Sequence, residues 1–187
     1  MNPDDKKLFL NLLRKDYAVV TLALTLVGFL FNTTVGLPVP ATLVLALLAF
    51  TAFDAIGYES VAHSTNRMDL VRYRVIQTHV QWIVFILCGA LTHWNLWACV
   101  GYILLWWMGV CDVLFYVLLN KQKELLAYEG MPWLWWTPIG IINSSMGRQT
   151  SGKMIYSIAI WTTITWFSLL ILFPSLRYHT IEWSVIR

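Results

Sequence analysis

The chain has 187 residues, of which 58% are hydrophobic and only 12% charged, with a mean hydropathy of +0.63. Soluble domains average roughly 45–50% apolar and about 25% charged residues, so a water-soluble globule is the wrong frame and a polytopic membrane protein is expected. The formal charge of +3 is too small to point to a nucleic-acid partner.

The first sixteen residues, MNPDDKKLFLNLLRKD, mix Lys6, Lys7, Arg14 and Lys15 with Leu8, Leu10, Leu12 and Leu13. They read as a charged, partly amphipathic lead-in. The apolar run after them has no small-x-small cleavage site before a polar mature start, so residues 17–36 read as a retained first span, not a signal peptide. Leu37-Pro38-Val39-Pro40 makes a short uncharged turn, because each proline disfavours helix in the residue before it. The second span covers about 41–58 and holds Asp54 near its end. A polar connection over 59–75 carries Glu59, His63, Arg67, Arg72 and Arg74. The third span, about 76–93, opens on Gln77, His79 and Gln81, and His93-Trp94-Asn95 turns the chain into the fourth.

That fourth span, 97–120, reads WACVGYILLWWMGVCDVLFYVLLN. It carries one charge, Asp112, with Trp106 and Trp107 at its middle. At about 1.5 Å per residue it is long enough for a hydrocarbon core of about 30 Å. An ionised carboxylate there costs at least ~2.5 kcal/mol, which makes Asp112 a functional-site hypothesis by default. Residues 131–147 follow a polar connection and are apolar but interrupted by Pro132, Pro138 and Gly140. Broken backbone survives in lipid only where protein or a water-filled cavity covers it, so a re-entrant or interfacial segment is expected, with a kinked true span as its rival. GRQTSGK lacks the Walker spacing and leads into the last span, 154–173.

The expected fold is therefore all-α: a single integral-membrane bundle over 1–187 with five transmembrane helices and one broken segment, or alternatively six transmembrane helices. Basic residues orient it. With five spans, eleven of the thirteen Lys and Arg fall on the side of the N-terminus, leaving Arg177 and Arg187 opposite. The N-terminus is expected to be cytoplasmic, in a plasma, inner or endomembrane. Six spans give the same tally, so the rule leaves the number of spans open.

Orientation turns scattered polar residues into a site. The second and fourth spans both run inward, and each holds an Asp with a Tyr four residues on: Asp54 with Tyr58, and Asp112 with Tyr116. Residues four apart share a helical face. His79 enters at similar depth, Glu59 and His63 lie just beyond the second span, and the broken segment adds Thr137 and Asn143. Three cysteines, Cys88, Cys99 and Cys111, sit in apolar stretches without paired spacing, and no HxxH, ExxH or HExxH pattern supports a metal. Neither a metal nor a cofactor is expected.

Indole faces attract cations, so Trp106, Trp107, Trp133 and Trp136, with Asn143, are expected to line an aromatic pocket. A carboxylic acid held away from water favours its protonated form, and two such acids side by side divide into an acid and a base. This set suits protonation-driven chemistry on an isoprenoid or sterol-like molecule: cyclisation, isomerisation or hydration. Asp112 is expected as general acid, Asp54 or Glu59 as its partner, His79 as proton relay, and Tyr116 and Tyr58 as orienters. The expected partners are the lipid bilayer and a lipophilic small molecule. The alternatives are a non-catalytic subunit docked on a membrane-protein partner, and a small transporter or channel.

Overall fold

Leucine, alanine and the other strong helix formers dominate the apolar runs, and in the computed structural model the described runs are mostly helix. The structure describes residues 3–61, 67–130 and 138–177. In chain order the helices are α1 (Pro3–Val35), α2 (Val39–Val61), α3 (Arg67–Leu91), α4 (Leu96–Trp107), α5 (Val110–Leu118), α6 (Gln122–Ala127), α7 (Pro138–Ser145) and α8 (Gly152–Leu172), closed by a 3-10 turn at Pro174–Arg177. No strand occurs among the described residues. The expected all-α bundle is what the chain forms.

Four helices contain stretches long and apolar enough to cross a membrane: Ala18–Val35, Val39–Val61, Val71–Leu91 and Gly152–Leu172. A fifth crossing follows if α4 and α5 are one bent span. By length and composition the chain is a membrane protein. Helix α1 begins at Pro3, so the charged lead-in continues the first span as helix. Helix α3 begins at Arg67, nine residues before its expected start, which brings Tyr73 and Arg74 out of the connection and onto the helix. Helix α7, at eight residues, rises only about 12 Å and cannot cross by itself.

The fourth stretch departs most from expectation. Residues 97–120 do not form one straight helix: α4 and α5 meet at an angle of 68° across Met108 and Gly109. Gly109 has a φ of +82°, left-handed backbone that residues with a Cβ adopt only at a cost of roughly 1–2 kcal/mol. Ile155 of α8 fills the space beside it, where a Cβ on Gly109 would stand 2.9 Å from the Ile155 Cγ2. Backbone sterics, with no proline involved, break the helix here.

Helix α2 is the centre of the bundle, half buried along its membrane-length window where α1, α3 and α8 are each only about one-sixth buried. It packs against α1, α3, α4 and α5. Ala46, Ala49, Ala52 and Ala55 recur every third residue on it and are all buried. Small side chains let neighbouring helix backbones approach, which is how helices associate where no hydrophobic effect drives them together. The outward faces of α1, α3 and α8 expose Leu24, Leu30, Ile83, Ile86, Trp161 and Ile171, a surface suited to lipid.

Polar caps close the turns. Asn32 donates from Nδ2 to the Thr42 hydroxyl at 2.9 Å and accepts from the Leu37 amide, pinning the α1–α2 turn. At the α3–α4 turn His93 and Trp94 both take positive φ. Asn95 then caps α4, accepting from the Ala98 amide at 3.0 Å and donating to the Leu176 carbonyl at 3.1 Å.

Candidate functional site

The polar residues of the spans gather where α2 ends and α3 begins. Asp54 stands on α2 two turns before its end and faces α3. The Tyr73 hydroxyl donates to its carboxylate and lies 2.8 Å from its backbone carbonyl oxygen. Gln77, one turn further along the same face of α3, donates from Nε2 to the same carboxylate oxygen at 2.7 Å. The Arg74 guanidinium in turn donates to the Gln77 Oε1 at 2.7 Å. A half-buried carboxylate is thus linked through one amide to an exposed cation.

Gly57 makes the arrangement possible. It lies one turn below Asp54, and a Cβ there would stand 2.3 Å from the Tyr73 Cε2. No real Cβ makes such a contact with a ring already buried. The missing side chain opens a slot across α2 in which the Tyr73 ring lies, and the slot aims its hydroxyl at Asp54.

Asp112 stands on α5, which also packs against α2. Because the span breaks at Gly109, Asp112 sits in the first turn of α5 rather than in the middle of a helix. Asp54 and Arg74 lie within electrostatic reach of its carboxylate. An acidic side chain in a first helical turn is also favoured by the helix dipole. Next to it Cys111 is buried in the core. Asp54 thus lies on α2 and Asp112 on α5, two helices that pack against each other.

The tyrosines form a separate ladder. Tyr58 meets Phe115 edge to face at 5.5 Å, Phe115 meets Tyr116 at 5.4 Å, and Tyr116 meets Tyr128 at 6.2 Å. Tyr116 also hydrogen-bonds Tyr128. Glu59 pairs with Lys121 at 2.6 Å, both side chains about three-quarters buried, and ties the end of α2 to the α5–α6 junction. His79 is exposed on the far side of α3 from Tyr73, and its Nδ1 lies 2.7 Å from the Val75 carbonyl oxygen of its own helix. It does not join the carboxylates.

Two of the aromatic residues named from the sequence are described. Trp106 packs on the core and Trp107 is 39% exposed. Trp133 and Trp136, with His63 and Thr137, lie outside the described residues. Asn143 is buried and donates to the Thr150 hydroxyl at 3.0 Å and to the Met154 Sδ at 3.1 Å, which anchors the loop between α7 and α8. The cavity that does form elsewhere, about 320 Å³ between α2, the α4–α5 break and α8, is lined by aliphatic side chains, Thr163 and Phe167. Among the described residues no three His, Cys, Asp or Glu side chains cluster as a metal site would require.

Sequence reasoning passed over Tyr73 and Gly57, and named Gln77 at the start of the third span without a role. A signal existed: Tyr73 and Gln77 are four apart, and a glycine lies three residues after an intramembrane Asp. Starting the third span at 76 hid it. Comparison with protein-family models, curated proteins and solved structures finds no match to this chain.

Proposed function

We propose that this is a small integral-membrane enzyme that acts on a lipophilic, isoprenoid- or sterol-like molecule by acid–base chemistry at the Asp54–Asp112 pair. The observation that carries the reading is the approach of two intramembrane carboxylates from α2 and α5 to within each other's electrostatic reach. Placing two like charges together in a low-dielectric region is costly, and such pairs share a proton instead of both ionising. The environments differ in a way that divides the roles. Asp54 accepts from Tyr73 and Gln77 and is equipped to carry the charge. Asp112 has no side-chain donor among the described residues and lies beside a helix break, and is assigned the proton. Protonation of a carbon–carbon double bond by Asp112, followed by proton loss or capture of water, gives the isomerisation, cyclisation or hydration of such a substrate.

The membrane orientation belongs to the same proposal. The excess of Lys and Arg at the α2–α3 end makes that end, and the carboxylates near it, cytoplasmic.

A second reading is favoured by one observation: Asp54 is also a clamp between α2 and α3, and polar residues hold membrane helices together without any chemistry. On that reading the chain is a subunit or assembly factor. Two substitutions separate the readings. Asp112→Asn keeps shape and removes the proton; in cells producing the variant at wild-type level, the lipid extract is expected to lose one product and gain its precursor. An unchanged lipid extract, with a membrane protein co-purifying with wild type and variant alike, sinks the enzyme reading in favour of the subunit.

A further inference from the structure

The cavity beside the helix break has a chemistry of its own. Val44, Leu47 and Leu48 of α2, Leu105 of α4, Val110, Val113 and Leu114 of α5, and five residues of α8 from Ala159 to Phe167 line it. Thr163 is the one hydroxyl among them, and it is already spent on the Ala159 carbonyl of its own helix at 2.7 Å. The groove therefore offers no polar group to a ligand. Its volume of about 320 Å³ lies at the small end of ligand pockets, roughly 300–1,000 Å³. It has room for a slender hydrocarbon and none for a headgroup.

The neighbouring surface says where a headgroup goes. Lys153 lies in the first turn of α8 and is exposed, and the ion pair found among the described residues does not involve it. At 3.6 residues per turn Lys153, Tyr156, Ile160 and Ile164 fall in one stripe of α8, the stripe that borders the groove. Ten residues separate Lys153 from Thr163 at the groove's centre, a rise of about 15 Å, which is half of a hydrocarbon core of about 30 Å. A lipid of one leaflet spans that distance from phosphate to chain end.

We infer that the α2–α5–α8 groove seats one acyl chain of an anionic membrane phospholipid whose headgroup is held at Lys153. The site is independent of the acid–base reading. Val110, Val113 and Leu114 turn one face of α5 to the groove, while Asp112 lies about 150° round the helix from them. Losing either proposal leaves the other standing.

The test uses the full chain in nanodiscs of phosphatidylglycerol or phosphatidylcholine, each doped with the same lipid carrying a diazirine at mid-chain. Crosslinked peptides are then mapped by mass spectrometry. Labelling is expected on α8 between Ala159 and Phe167, with the anionic lipid preferred about fivefold, the contribution of one basic residue near the headgroup. Thr163→Phe and Val44→Phe place a ring in the groove from opposite walls, at positions that are not fully buried. Each is expected to abolish that labelling while leaving thermal unfolding in detergent within a few degrees of wild type. Lys153→Glu is expected to keep the labelling and erase the anionic preference. Equal labelling by both lipids in the wild type, labelling that survives both ring-filling variants, or a protein crosslinked into the groove in place of lipid overturns the inference. If one ring-filling variant fails to fold, the other and Lys153→Glu still decide it.

Discussion

Gly57 and Tyr73 are a matched pair. The glycine is required because the ring occupies the place of its Cβ, and the ring is held there because its hydroxyl reaches Asp54. Gly57→Ala is expected to cost about 1–3 kcal/mol of stability through overpacking, read as a lower unfolding midpoint in detergent. Tyr73→Phe keeps the ring and deletes the hydrogen bond. It is expected to cost less, about 0.6 kcal/mol and at most ~1.7, the range for polar contacts between membrane helices. If the clash with the ring is the cause, Gly57→Ala becomes nearly silent in a Tyr73→Ala background, because neighbouring substitutions are not additive. An undiminished cost in that background would mean that Gly57 serves the α2 backbone itself. Glu59 belongs to a different class. Its pair with Lys121 is partly exposed, so Glu59→Gln is expected to cost less than about 1 kcal/mol and to leave the Asp54 hydrogen bonds unchanged.

At the level of elements, the break between α4 and α5 decides what Asp112 is. In a continuous helix its amide would be bonded within the ladder and its carboxylate would face whatever the helix faced. In the bent pair it lies in the first turn of a new helix. Gly109→Ala is expected to destabilise by about 1–3 kcal/mol, from the left-handed φ and from contact with Ile155. Adding Ile155→Ala removes the contact and not the backbone strain, so at least about 1 kcal/mol of the loss is expected to remain in the double variant. Full recovery would show that side-chain crowding, and not backbone conformation, sets the bend. The groove depends on the same break, since Leu105 and Val110 line it from the two sides of the elbow.

At the level of the whole molecule, α2 packs against α1, α3, α4 and α5, and every polar residue of the candidate site lies on it or on an element near it. Five crossings put both ends of the α6–α7 region on the side where α1 begins. Trypsin cleavage at Arg148 and Lys153 is accordingly expected from the same side as cleavage at Lys6 and Lys7, in sealed vesicles of each orientation. Cleavage from opposite sides would show that the region including α7 crosses the membrane and that the chain has six spans.

How much of this was legible beforehand follows from the range of the forces involved. Apolar length and the cost of charge in hydrocarbon are properties of single segments. The sequence by itself therefore determined the all-α membrane class and the approximate positions of the spans. Left to tertiary structure was everything that depends on contact between segments. A lone glycine in an apolar run is usually helical, and Gly109 breaks its helix where Ile155 packs into the bend. Tyr73 looked like part of a connection until α3 was seen to start at Arg67, and its ring needs the slot that Gly57 leaves. His79 shared the depth of the acids but not their side of the helix. Depth is set by position along the chain; facing is set by what packs on what.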